Sequence, residues 1–133
     1  MKQKCEKLVI SEDGRRAIYV DSANKKEIIA YIQQDARHKK KFLFISGIIL
    51  NGHTVKDVYC REDIDDKCKD VTAMRFFVGQ ENDRIYCKEV KIEAGTLIVI
   101  ASVLHLKKKS NTLSSKEISA IRKVANTEYD IEK

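Results

Sequence analysis

Val71-Thr72-Ala73-Met74-Arg75-Phe76-Phe77-Val78, then Arg84-Ile85-Tyr86-Cys87-Lys88-Glu89-Val90-Lys91-Ile92, then Thr96 through to Leu106, are three successive runs that decide the fold. The first alternates Met74, Phe76 and Val78 with Ala73, Arg75 and Phe77; the second alternates Ile85 and Cys87 with Arg84, Tyr86 and Lys88. A period of two predicts strands. The third run is apolar on both faces, as a central strand is. The polar residues 79–83 and the pair Ala94-Gly95 supply the turns between them, so the second half of the chain reads as a β-meander. It leaves the last strand through Lys107-Lys108-Lys109 and enters a capped helix. Ser114 and Glu117 spell a capping box, Leu113 and Ile118 stand as a hydrophobic staple, and Ile118, Ile121 and Ala125 continue one apolar face.

Working towards the N-terminus, residues 57–70 are acidic and irregular, and read as a solvated loop. Residues 42–50 are apolar almost throughout and end in Asn51-Gly52, a helix stop. That run fits a buried strand or a buried helix, and the helix is the preferred reading. Ile28, Ile29, Ile32 and Ala36 share a helical face, which predicts a helix over 25–37 with Asn24 as its cap and Glu27 reaching back. Asp13-Gly14 between two β-prone runs predicts a hairpin at about 7–21. The fold class expected is α+β: a small antiparallel sheet packed against N-terminal helices and a C-terminal helix, in one domain spanning 1–133, with the hairpin as an addition.

The chain has 133 residues, 35% of them charged, and a net charge of +6, a balance that favours polyanionic or acidic partners. No apolar run approaches the roughly 20 residues of a membrane helix and no signal peptide is visible, so a cytoplasmic location and no membrane partner are expected. Cys5, Cys60, Cys68 and Cys87 form no CxxC pair, and no histidine stands at finger spacing. They read as reduced thiols; no metal site and no cofactor are assigned.

The chemistry-bearing residues lie on the meander. Arg75, Arg84 and Tyr86 occur on adjacent strands, and Lys107, Lys108 and Lys109 leave the third. In an antiparallel meander such residues can converge on one surface, where Arg binds phosphate bidentately and Lys binds it as a point charge.

Arg84-Ile85-Tyr86, the apolar strand ending in Leu106-Lys107-Lys108-Lys109-Ser110, and Ser114-Ser115-Lys116-Glu117-Ile118 opening a helix resemble the RelE/HigB-type toxin superfamily, in its phage-derived Gp49-like branch. Ala73-Met74-Arg75 partly matches that branch's upstream strand motif. The resemblance covers about residues 70–126. It implies the toxin of a type II toxin–antitoxin system: a ribosome-dependent mRNA endoribonuclease whose partners are RNA on the ribosome and an acidic antitoxin. Carried onto this chain, Arg84, Lys108, Lys109 and Arg75 would be catalytic, stabilising the phosphate and moving protons, while Tyr86, Lys107 and His105 would bind substrate. Many members of the branch carry a histidine at the position of Leu104. Here the histidine comes one residue later, and alternation turns it to the other face. Two further readings use the same residues: a toxin-fold protein that binds nucleic acid or an acidic protein without cleaving, and a structural module whose basic rim docks an acidic protein.

Overall fold

The computed structural model describes residues 2–62, 64–93, 95–106 and 114–131. Strands β1 (Gln3–Ile10) and β2 (Arg16–Asp21) are followed by helices α1 (Lys25–Gln33) and α2 (Ala36–Leu50). Strands β3 (Tyr59–Arg61), β4 (Val71–Phe76), β5 (Asp83–Lys91) and β6 (Leu97–His105) come next, then helix α3 (Ser115–Asn126) and the short strand β7 (Tyr129–Asp130).

The meander is present: β4 pairs antiparallel with β5, and β5 with β6. The sheet around it is not the small antiparallel one expected. It has seven strands in the order β3-β4-β5-β6-β2-β1-β7, curled into a half-barrel, and it is mixed. Strand β2 lies parallel to β6, from Arg16 opposite Leu97 to Val20 opposite Ala101. The hairpin is therefore the sheet's other half, not an addition. The reason lies in β6. A strand apolar on both faces needs a hydrogen-bonded neighbour at each edge, and the run Ala17-Ile18-Tyr19-Val20, buried throughout, supplies the second.

Three clusters fill the two faces. Helices α1 and α2 close one face through Ile28, Tyr31, Ile32, Ile45 and Ile49, over Ile18, Val20, Met74, Phe76, Ile85 and Val99. On the other face α3 lays Ile121 and Val124 over Val71, Ala73 and Tyr86. Beside α3, Tyr129 closes a cluster with Cys5, Ala17, Tyr19, Ile98 and Ile100. Lys88 fixes the far end of α3 by donating to the carbonyls of Ala125 (3.1 Å) and Thr127 (2.6 Å), where a cation suits a helix C-terminus.

Locally, several expectations shift. Residues 42–50 are helical, as preferred, and belong to a helix that starts at Ala36. The single helix over 25–37 divides at Asp35. Its extended backbone (φ −160°) stops α1, and its carboxylate accepts the His38 N–H (2.8 Å) to cap α2, a role Asp fills better than it fills a helix interior. Asn24 makes no side-chain cap; its Nδ2 donates to the Ser102 carbonyl (2.7 Å). The acidic loop contains β3 and a 3₁₀ turn, Asp66–Cys68. The Ser114–Glu117 capping box is present, whereas Leu113 of the staple lies outside the described residues.

Strand β6 carries a bulge. Tyr86 faces Val103 and Cys87 faces Ala101, so Ser102 is the extra residue. Its Oγ lies 2.8 Å from the Tyr129 hydroxyl, which donates to Asp21 Oδ2 (2.7 Å). Asp21 also accepts from Gln3 Nε2 and the Ala23 N–H, so one buried carboxylate joins β1, β2, the entry to α1, and β7. Burial raises the Tyr129 pKa, which keeps its hydroxyl a donor. Tyr129→Phe removes a hydrogen bond to a buried charge. We expect it to cost about 1.5–3 kcal/mol in urea unfolding at pH 7; a change below about 0.5 kcal/mol would mean that the network does not bear on stability.

Candidate functional site

The registers of β4, β5 and β6 place Arg75 opposite Arg84 and Arg84 opposite His105. These three side chains form one row across the sheet on the α3 face, with Tyr86 in the next row, opposite Ala73 and Val103. Like charges directly opposite across strands repel. Glu62, just beyond the edge strand β3, offsets this. Its N–H pairs with the Val71 carbonyl (3.1 Å), and Oε1 meets Arg75 Nη2 at 3.4 Å and Arg84 Nη1 at 3.2 Å. The Glu62 side chain is only 4% exposed, against 17% and 12% for the two arginines, so this is a nearly buried ion triad. Arg75 Nε is buried with no hydrogen-bond partner among the described residues.

A second carboxylate lies at the other end of the row. Glu117, in the first turn of α3, is 2% exposed. Its Oε1 accepts from the Ser114 N–H (3.1 Å) and hydroxyl (3.2 Å), and its Oε2 accepts from Tyr86 (2.9 Å). His105 Nε2 stands 4.0 Å from Oε1. The capping box therefore does two things: it starts the helix and fixes a carboxylate beside the histidine. Burial, reinforced by the bond to Glu117, raises the Tyr86 pKa, so the phenol stays protonated and donating.

The structure thus brings together four of the residues singled out from sequence, Arg75, Arg84, Tyr86 and His105. Tyr86 is fully enclosed, so it reaches a substrate only through Glu117. His105 does face the arginines, because the Ser102 bulge turns it there. Lys107, Lys108 and Lys109 lie outside the described residues. Sequence reasoning missed Glu62 and Glu117 as members of the site. Glu62 was hidden in an acidic run read as solvated, and Glu117 was already explained as a cap. Cys60 lies on the same face as Glu62, half-buried, with burial raising its thiol pKa, so it is not an activated nucleophile.

Chemically, the row offers two guanidiniums for a phosphate, a histidine that can take or give a proton, and a buried carboxylate to orient it. Among the described residues no group of three or more His, Cys, Asp and Glu side chains could hold a metal ion, and no helix is long and apolar enough to cross a membrane. No family model, curated protein or solved structure matches this chain.

Replacing Glu62 by Gln leaves two nearly buried guanidiniums without a counter-charge. The expected cost is about 3–5 kcal/mol, read as a lower denaturation midpoint. If Glu62→Gln unfolds within about 1 kcal/mol of the parent, solvent rather than Glu62 neutralises the pair.

Proposed function

We propose that this protein binds single-stranded RNA on the α3 face and cleaves its phosphodiester backbone by 2′-hydroxyl attack, as a toxin restrained by an acidic partner protein. The observation that carries this reading is the row Arg75–Arg84–His105 with Glu117 behind it. The toxin assignment, action at the ribosome, the antitoxin partner and a cytoplasmic setting come from the sequence resemblance; the assignment of chemistry comes from the row.

In that chemistry His105, oriented by Glu117, takes the 2′-hydroxyl proton. Arg84 and Arg75 receive the charge that builds on the phosphorane. His105 and Glu117 stand 4.0 Å apart, beyond hydrogen-bond length, and this chemistry requires the two to draw together when substrate binds. The lysines that follow His105 by two to four residues in the chain are proposed to bind further phosphates or protonate the leaving oxygen. Tyr86 positions Glu117.

A second reading, binding without cleavage, is favoured by one observation: Glu62 already engages both arginines. The two readings separate in one set of assays. For the nuclease, His105→Ala slows cleavage of single-stranded RNA by about 10²–10⁴-fold with affinity nearly unchanged. Arg84→Ala weakens RNA binding and lowers the salt slope by about 0.7 for each phosphate left unneutralised. Induced expression without a partner stops growth, and both variants restore it. Unimpaired growth with intact RNA removes the nuclease and leaves the binder; salt-independent or absent RNA binding removes both.

A further inference from the structure

Helix α2 buries His38, Ile45, Ser46 and Ile49 and turns its opposite side outward. That outer side carries Lys40, Leu43, Phe44 and Gly47 on successive turns, with Leu43 69% and Phe44 54% exposed. Beside Gly47, against the turn between β1 and β2, is a hollow of about 480 Å³ whose lining includes Ile10, Glu12, Asp13, Leu50 and Asn51. We infer that this face joins two copies of the chain: α2 packs antiparallel against α2 of a second copy, and Phe44 of each enters the hollow at Gly47 of the other.

Nothing within one copy requires glycine at position 47. It lies inside a 15-residue helix without a positive φ, and a Cβ there would meet nothing within 4 Å. Glycine in a helix interior is less favourable than alanine. A missing Cβ that no other part of the chain fills leaves room for a close approach from outside. The surface around the gap is apolar as well. Of the six large apolar side chains exposed among the described residues, Ile10 lines the hollow, and Leu43 and Phe44 lie one turn before Gly47. Apolar residues gathered this way mark an interface, whereas scattered ones do not.

The charges on the face select a second copy as the occupant. An interface about a two-fold axis must be complementary to itself. In the first turns of α2, Arg37 is paired with Glu81, and Lys39, Lys40 and Lys41 follow. No acidic residue occurs from Ala36 to Lys56. At the other end of the face the hollow carries Glu12 and Asp13, and no Lys or Arg among the described residues lines it. The Ser11 hydroxyl (2.7 Å) and the Arg15 N–H (2.9 Å) donate to Asp13 and hold its pKa below the usual carboxylate value, so it is charged. One end is thus basic, the other acidic, and the middle apolar.

A two-fold axis between Ile45 and Ser46 sets Phe44 opposite Gly47 and Lys40 opposite Asn51, next to Glu12 and Asp13 of the other copy. The two Lys40 residues then stand about 16 Å apart along the helices, beyond the Debye length of about 8 Å at physiological salt. A parallel arrangement would bring the lysines together, and a polyanion laid along the face would meet Glu12 and Asp13. The α3 face is on the other side of the sheet, so both Arg75–Arg84–His105 rows stay open. The pairing does not depend on the RNA-binding reading.

Sedimentation equilibrium of the full chain at rising concentration tests the pairing. A species of twice the chain mass is expected, and Phe44→Ala and Gly47→Leu each weaken it at least about tenfold. Phe44 is exposed and Gly47 has open space beside it, so both variants fold, which their urea midpoints at high dilution check. Lys40→Glu also weakens the pair, and adding Glu12→Lys restores it, because each exchanged residue meets its exchanged partner in the other copy. A chain still monomeric at about 1 mM, where a pair with a millimolar dissociation constant is half formed, overturns the proposal. A dimer that Gly47→Leu and Phe44→Ala leave intact overturns it too, since its contact lies on another face. Failure of Glu12→Lys to restore the Lys40→Glu chain overturns the antiparallel arrangement.

Discussion

Strand β6 can exist only as an interior strand, and the rest of the molecule is arranged to make it one. Its sequence from Leu97 to His105 has no polar face to turn to water. Each edge of it must find a hydrogen-bonding partner and each face a cover. Strand β5 takes one edge and β2 takes the other, α1 and α2 cover one face, and α3 with the segment around Tyr129 covers the other. Parallel pairing with β2 requires a long crossover, and α1, α2 and strands β3, β4 and β5 provide it.

On this frame the site is an electrostatic compromise. Antiparallel pairing alone would set Arg75 against Arg84 in poor solvation. The pair is tolerable because Glu62 lies against both guanidiniums. The same logic recurs at Glu117, a carboxylate whose desolvation is offset by Ser114 and Tyr86. Positive and negative groups are thus interleaved in a partly dry layer between sheet and helix, where each is worth more than it would be at the surface.

What the sequence makes legible follows from the range of the forces involved. Alternation in residues 71–76 and 84–91, the capping box at Ser114, and the turn at Asn51-Gly52 are local effects, decided within a few residues, and they read correctly; Phe77, expected on the Arg75 face, instead takes a left-handed φ (+56°) and packs with the α1–α2 cluster. The parallel pairing of β2 with β6 joins segments about 80 residues apart in the chain, and nothing near Ala17 or Ile98 announces it. Reading the hairpin as an addition followed from treating a local signal as a complete one. Arg75, Arg84 and Tyr86 were legible as one face of the meander because alternation is local; the place of His105 was not, because the Ser102 bulge overrides the alternation that turned it away. Glu62 and Glu117 were not, because a charge in an acidic run or at a cap already has a sufficient local explanation, and only the folded neighbourhood gives it a second role.

Ser102 has a consequence for the makeup of the row as well as for the shape of the strand. In a regular β6, position 104 would share a face with Ile98 and Ile100, and Leu104 would stand beside Arg84. One inserted residue exchanges them, so the histidine one place later reaches the arginines. Without the bulge at Ser102, His105 would turn to the α1–α2 face and Leu104 would stand beside Arg84, so the row depends on how the strand is spaced as much as on the residues it carries.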